Sequence, residues 1–330
     1  MPPAKPNSAP RTPPGREPPL EVVDPKWLLK ALAICLVAAM ICVYVTLCAL
    51  FYQGRWQLVL HPSHTVDRTP ASAGLVYSDV HFDAAETGQP RLTAWWIAAS
   101  PQAGFAPRYA DYTILYLHDG SGSLADTVPT LARLHSAGLN VFAIDYRGFG
   151  TSDASVHPTQ ELMSEDTTAA LEYLTQTRHI SPLKIIPYGT GLAASLAASL
   201  ANSHTSLPAI ILDNPNPDPA STAAAAHPSA IIPVRLLFGN QFEIAAPLAT
   251  LATPKFLIAG GPNSASPAPD SNPLQILFRR AHSPSFAITL PPDGAEQAYQ
   301  VALARFLDQY LVASRMPSNG TVGSDRRVKE

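Results

Sequence analysis

Apolar and polar positions divide the chain into three regimes. Residues 1–25 carry nine prolines among Lys5, Arg11, Arg16, Ser8 and Glu17 and show no apolar period, so they read as a disordered or polyproline-like spacer. Ala31 to Tyr52, ALAICLVAAMICVYVTLCALFY, runs 22 residues without a charge, which at about 1.5 Å per residue spans a hydrocarbon core of about 30 Å. Beyond it, short apolar runs alternate with helical stretches. Val76–Phe82 and Leu92–Ile97 alternate as two antiparallel strands, with AAETGQP as the turn between them. Tyr112–Leu117, Asn140–Asp145, Ala209–Leu212, Lys255–Ala259 and Phe286–Leu290 are nearly continuous apolar runs of the kind buried on both faces of a sheet. Helices are expected at 126–137, 165–174 and 295–311. This order predicts an α/β fold, a doubly wound and mostly parallel sheet with helices on both faces.

One stretch organises the rest. Leu183 to Leu200 reads LKIIPYGTGLAASLAASL: an apolar strand ending at Tyr188, a glycine-rich turn, then an Ala/Leu/Ser helix. A strand, a sharp turn and a helix flanked by small residues can raise a single side chain above a sheet edge. In Gly189-Thr190-Gly191-Leu192-Ala193 the raised position is Gly191, which has no side chain to raise.

Composition narrows the classes. With 46% hydrophobic and 14% charged residues the chain can bury a large core, and a net charge of -3 gives no basic excess for nucleic acid. The apolar run exceeds a signal-peptide core in length and has no small-residue cleavage pattern after it, so it reads as a transmembrane anchor. Five Lys/Arg precede it and Arg55 is the first after it, which places the leading residues in the cytoplasm and the large domain outside. The resulting division is a Pro-rich tail (1–26), an anchor (27–52), a domain (53–312) and a polar tail (313–330). All three cysteines, Cys35, Cys42 and Cys48, lie in the anchor, leaving the domain without thiol chemistry. His61, His64, His81 and His118 show no ligand spacing, so neither metal nor cofactor is expected.

Taken in order, LYLHDGSGS, NVFAIDYRGFGTSD, EDTTAALEYL and KIIPYGTGLA resemble the α/β-hydrolase family. The likeness is strongest to its membrane-anchored bacterial branch, near the serine aminopeptidase and dienelactone hydrolase groups, and it covers roughly residues 53–312. The resemblance implies an α/β-hydrolase fold, an oxyanion loop at His118-Asp119 with a partner N–H at Leu192, and a site rim formed by His118, Asp145, Tyr146 and Arg147. It also implies a nucleophile, an acid and a histidine in that chain order. The three positions read Gly191, Asn263 and Ala295, and no histidine follows His282. An amide at 263 could orient an imidazole but not stabilise the imidazolium. Asp119 stands where a glycine usually follows the histidine, and is expected either as a turn residue bonding its own backbone or as a charge opposed to an oxyanion. Ser195 is expected two turns into a helix as a packing residue, Thr190 to point away, and His282 to lie on the surface. The expectation is a membrane-anchored α/β-hydrolase-fold protein without its catalytic triad, binding an unidentified ligand or protein partner. The alternative is a serine hydrolase of esterase, lipase or peptidase type with an unconventional site.

Overall fold

A computed structural model describes residues 24–83, 91–100, 109–226, 231–260, 273–291 and 294–312. The expected turn at 84–90, residues 1–23, Asn263 and the polar C-terminal tail lie outside these. The chain divides into two compact units, Met1–Leu50 and Phe51–Glu330.

The apolar run is one uninterrupted helix, α1 (Pro25–Gly54), with no buried residue. It is the one helix among the described residues long and apolar enough to cross a membrane. A helix apolar all round its circumference has no polar face to offer water.

The second unit is built on an eight-stranded sheet. Its strands are β2 (Ser78–Phe82), β3 (Leu92–Ile97), β4 (Thr113–Leu117), β6 (Asn140–Asp145), β7 (Ile185–Thr190), β8 (Ile210–Asp213), β9 (Lys255–Gly260) and β10 (Ser285–Leu290), in the order β10-β9-β8-β7-β4-β6-β3-β2. The β2–β3 and β3–β6 pairs are antiparallel and the rest parallel. Two further strands, β1 (His61–Pro62) and β5 (Ser121–Gly122), form a separate parallel pair. Two residues carry no readable period, so this pairing was not legible in the sequence.

Side chains of alternate parity along each strand feed two cores. One is covered by α3 (Gln160–Glu172), α4 (Ala193–Ser203) and the short helices α5 (Pro219–Ala226), α6 (Val234–Phe238), α7 (Ala245–Thr250) and α8 (Pro273–Arg280). The other lies under α2 (Leu124–Ser136) and α9 (Ala295–Leu307). Ser123 caps α2 by accepting from Ala125 N–H, with Asp126 bonding back to Ser123 N–H, so α2 begins two residues earlier than its apolar period suggested. The expected helix at 165–174 likewise starts earlier, at Gln160, where Thr159 caps it.

The parallel register sets where chemistry can occur. Thr190 pairs with Asp213, Asp213 with Ile258, and Ile258 with Ile288, so β7 to β10 end along one edge. Thr190, Asp213, Gly260 and Leu290 end their strands on that side, which is where an open α/β sheet forms its crevice.

Candidate functional site

The centre of the site is the turn out of β7. A Cβ on Gly189 would meet the Ala193 carbonyl oxygen at 2.5 Å and Ala194 Cα at 2.7 Å, so only glycine lets α4 return this closely over the strand. Gly191 holds a left-handed φ of +54°, the strained geometry that raises a nucleophile in an elbow. Its N–H donates to the Asp213 carbonyl (3.1 Å) and its carbonyl accepts from Asn216 N–H (3.2 Å), pinning the turn to the end of β8. The elbow frame is intact around a position with no side chain.

Asp119 fills the space above it. Its Oδ1 accepts from Gly120 N–H at 2.7 Å and from Leu192 N–H at 2.8 Å. The local bond is that of the expected turn residue; the second reaches across 73 residues to the far side of the site. A Cβ built on Gly191 would collide with Asp119 Cγ and both carboxylate oxygens. Two backbone donors converging on one point, one beside the elbow and one on the β4 loop, make a hole for an oxyanion. Here that point is occupied by the protein's own carboxylate. Gly120 is closely packed too: a Cβ would stand 2.7 Å from Leu60 Cδ2, which would have to shift, and 3.0 Å from the Val59 carbonyl oxygen.

The side chains of the four residues expected at the site rim are buried. His118, Asp145, Tyr146 and Arg147 are between 0% and 6% exposed. His118 Nδ1 donates to the Asp119 carbonyl (2.7 Å), and its ring packs on Tyr146 (centroids 4.8 Å) and Phe149 (5.0 Å). Its Nε2 lies 3.3 Å from Asp145 Oδ1 without the alignment of a hydrogen bond. Asp145 accepts from Leu124 N–H (3.0 Å), and its carboxylate lies against Gly150, where any Cβ would collide with it. Arg147 donates from its backbone N–H (2.8 Å) and Nε (2.6 Å) to Asp166 and from Nη2 to Glu165 (2.8 Å). Burial raises the Asp166 carboxyl to about 6 despite the opposing pull of Arg147. These residues therefore hold the loops beneath the site. The fold turns these charged and aromatic side chains inward because the turn is bonded to α2 through Leu124 and to α3 through Asp166.

The remaining candidates are placed as follows. Ala295 is the first residue of α9, after Gly294, and offers only a methyl group. Asn263 follows β9 by three residues and lies outside the described residues. Ser195 sits in the first turn of α4 rather than two turns in; it is 2% exposed and its Oγ donates to the Leu192 carbonyl (2.7 Å). Thr190 Oγ1 donates to the Leu117 carbonyl (3.4 Å). His282 is exposed and stands at the opposite sheet edge, where its carbonyl accepts from Lys255 Nζ (2.6 Å) at the start of β9. Among the described residues no group of three or more His, Cys, Asp and Glu side chains gathers as metal ligands would.

One polar cluster escaped the sequence reading. Asp213, at the end of β8, accepts from Tyr188 Oη (2.6 Å) and Asn214 Nδ2 (3.0 Å) and lies 3.5 Å from Arg133, whose guanidinium stacks on Tyr299 (3.9 Å). Burial, reinforced by the Asp213 charge, raises the Tyr188 hydroxyl well above its usual range. A carboxylate thus stands beside the elbow, but it is committed to tying β7 and β8 to α2.

No family model matches the chain. Among curated proteins it is similar to the alpha/beta hydrolase domain-containing protein WAV2 of Arabidopsis thaliana, 29% identical over 148 residues covering 44% of this chain and 45% of WAV2. It is also similar to protein bem46 of Schizosaccharomyces pombe, 36% identical over 104 residues covering 31% and 34% of the respective chains. The match thus spans less than half the length of either relative. Among solved structures, an esterase of Pyrococcus furiosus superposes with a TM-score of 0.56 at 18% identity, over 76% of this chain and 98% of the esterase. An alpha-beta hydrolase of Vibrio vulnificus superposes at 0.52 with 20% identity, over 74% and 82%. Strand order, the strand-to-helix turn and these likenesses agree: the chain has the α/β-hydrolase fold.

Proposed function

We propose that this is a membrane-anchored α/β-hydrolase-fold protein that has lost catalysis and uses its site to bind a ligand or partner. The observation that carries the reading is the carboxylate of Asp119, bonded to both backbone donors and lying directly over Gly191. A hydrolase needs that space for a nucleophile and those donors for the charge that develops on the substrate oxygen. A fixed negative charge there repels the oxyanion that a hydrolase must stabilise. The rival reading is an active serine hydrolase, and the solved structures of similar fold include the Pyrococcus furiosus esterase. A fluorophosphonate probe decides between them: the intact chain is expected to take no more label than a heat-denatured sample. Stoichiometric labelling, mapped to any serine of residues 53–312, would overturn the proposal.

The anchor reading rests on α1, apolar on every face, and on the Lys/Arg bias toward its leading side. It puts residues 53–312, taken as the hydrolase-like domain, outside the cytoplasm. A reporter active only in the cytoplasm, fused after Tyr310, is expected to be silent; an active fusion would reverse the orientation.

A further inference from the structure

A cavity of about 410 Å³ opens between Phe51, Gly54, Gln57, Leu58, His61 and Ala226. Phe51 is the next-to-last residue of the 22-residue apolar run, so covalent connectivity alone places this wall where the chain leaves hydrocarbon. One lining residue is tied to the candidate site: His61 N–H donates to the Gly120 carbonyl (2.7 Å), and the neighbouring Leu60 packs where Gly120 has no Cβ. Gly120 in turn donates to Asp119. The lining combines apolar Phe51, Leu58 and Ala226 with polar Gln57 and His61. The segment between the apolar run and the cavity is tied to the short cap helices, because Arg55 donates to the Leu237 carbonyl (3.3 Å). The neighbouring Leu236 is 78% exposed, which adds apolar surface beside that anchor point.

We propose that this cavity receives one membrane amphiphile from the bilayer, its single acyl chain against Phe51 and Leu58 and its head toward Gln57, His61 and the Asp119 loop. The inference rests on the reading of α1 as an anchor and of the site as a binding site. A volume of about 410 Å³ falls at the small end of ligand pockets, which favours one chain over two. Among the described residues the lining offers the amide of Gln57 and the imidazole of His61 but no Asp, Glu, Lys or Arg to pair with a charged head, so the class is a neutral-headed, single-chain lipid such as a monoacylglycerol.

The test uses the full chain in phosphatidylcholine nanodiscs containing a trace of diazirine-tagged monoacylglycerol, irradiated and mapped by mass spectrometry. Crosslinks are expected in two places, the apolar run at 31–50 and the cavity peptides containing Leu58 and Ala226. Two variants fill the cavity: Ala226→Trp and Gly54→Phe, the latter entering space with no atom within 4 Å of a new Cβ. Each should lower cavity crosslinking at least fivefold while leaving that of the apolar run unchanged. A diazirine-tagged fatty acid, ionised at pH 8, should label the cavity several-fold less. Crosslinks confined to the apolar run, or cavity crosslinks indifferent to both variants, would overturn this proposal alone. Absence of crosslinks from the apolar run as well would overturn it together with the anchor reading. Fluorophosphonate labelling, run in parallel, reports separately on catalytic silence.

Discussion

Gly191→Ser alone is expected to leave the chain at background toward short-chain p-nitrophenyl esters and to lower its thermal midpoint. The new side chain starts from a left-handed φ of +54°, a conformation costing a non-glycine residue on the order of 1–3 kcal/mol, and collides with the Asp119 carboxylate. Chemically the variant gains an alcohol without a base, and a triad acts as a unit: losing its nucleophile or histidine alone costs on the order of 10⁶ in turnover. Adding Asn263→Asp and Ala295→His supplies the missing partners but leaves the two backbone donors occupied, so that triple variant is also expected to stay at background. Removing the plug with Asp119→Gly in the quadruple variant frees both Leu192 N–H and Gly120 N–H and the space above residue 191. Turnover above a heat-inactivated control is expected there and in none of the subsets that retain Asp119. Equal activity in the triple and quadruple variants would show that Asp119 does not block the site. Ester hydrolysis by the unmodified chain that Ser195→Ala abolished would mean the elbow has been misplaced.

Arg147→Met is expected to be the most destabilising single change beneath the site, by about 3–5 kcal/mol, because it leaves a buried carboxylate without its partner. Asp166 is fully buried, and Arg147 supplies both its backbone N–H and its Nε. For a domain of this size the loss corresponds to a midpoint drop of roughly 10 °C. The sign of its pH dependence follows from the Asp166 carboxyl, already raised to about 6 by burial and pushed further once the cation is gone. A carboxyl whose folded value lies above its unfolded one, about 3.9, binds more protons in the folded chain between the two. Its contribution is therefore present on the acid side and lost as pH rises through the folded value. The variant should be worst at pH 8 and recover part of its midpoint at pH 5. Arg147→Met combined with Asp166→Leu should recover most of it at both, since the buried charge is removed. A midpoint loss for Arg147→Met that is the same at pH 5 and pH 8 would contradict this account.

The eight strands of the large sheet and the helices α2, α3, α4 and α9 were legible in the apolar pattern, in their order along the chain. Continuous apolar runs at Tyr112–Leu117 and Asn140–Asp145 have the length of strands covered on both faces, and the small residues around Gly191 fit a close strand-to-helix turn. The vacancy at Gly191, the methyl at Ala295 and the lack of any histidine after His282 were equally plain, because identity at a position needs no geometry once the frame is aligned. Tertiary structure alone decided what fills the vacancy. Asp119 and Leu192 are 73 residues apart, and a bond between a side chain and a distant backbone N–H leaves no period in either segment. The inward turn of His118, Asp145, Tyr146 and Arg147 was hidden for the same reason: polar side chains are buried where partners exist, and their partners, Leu124 and Asp166, come from helices elsewhere in the chain. Local pattern encodes which face of an element meets the core; which polar groups meet each other depends on how the sheet is wound.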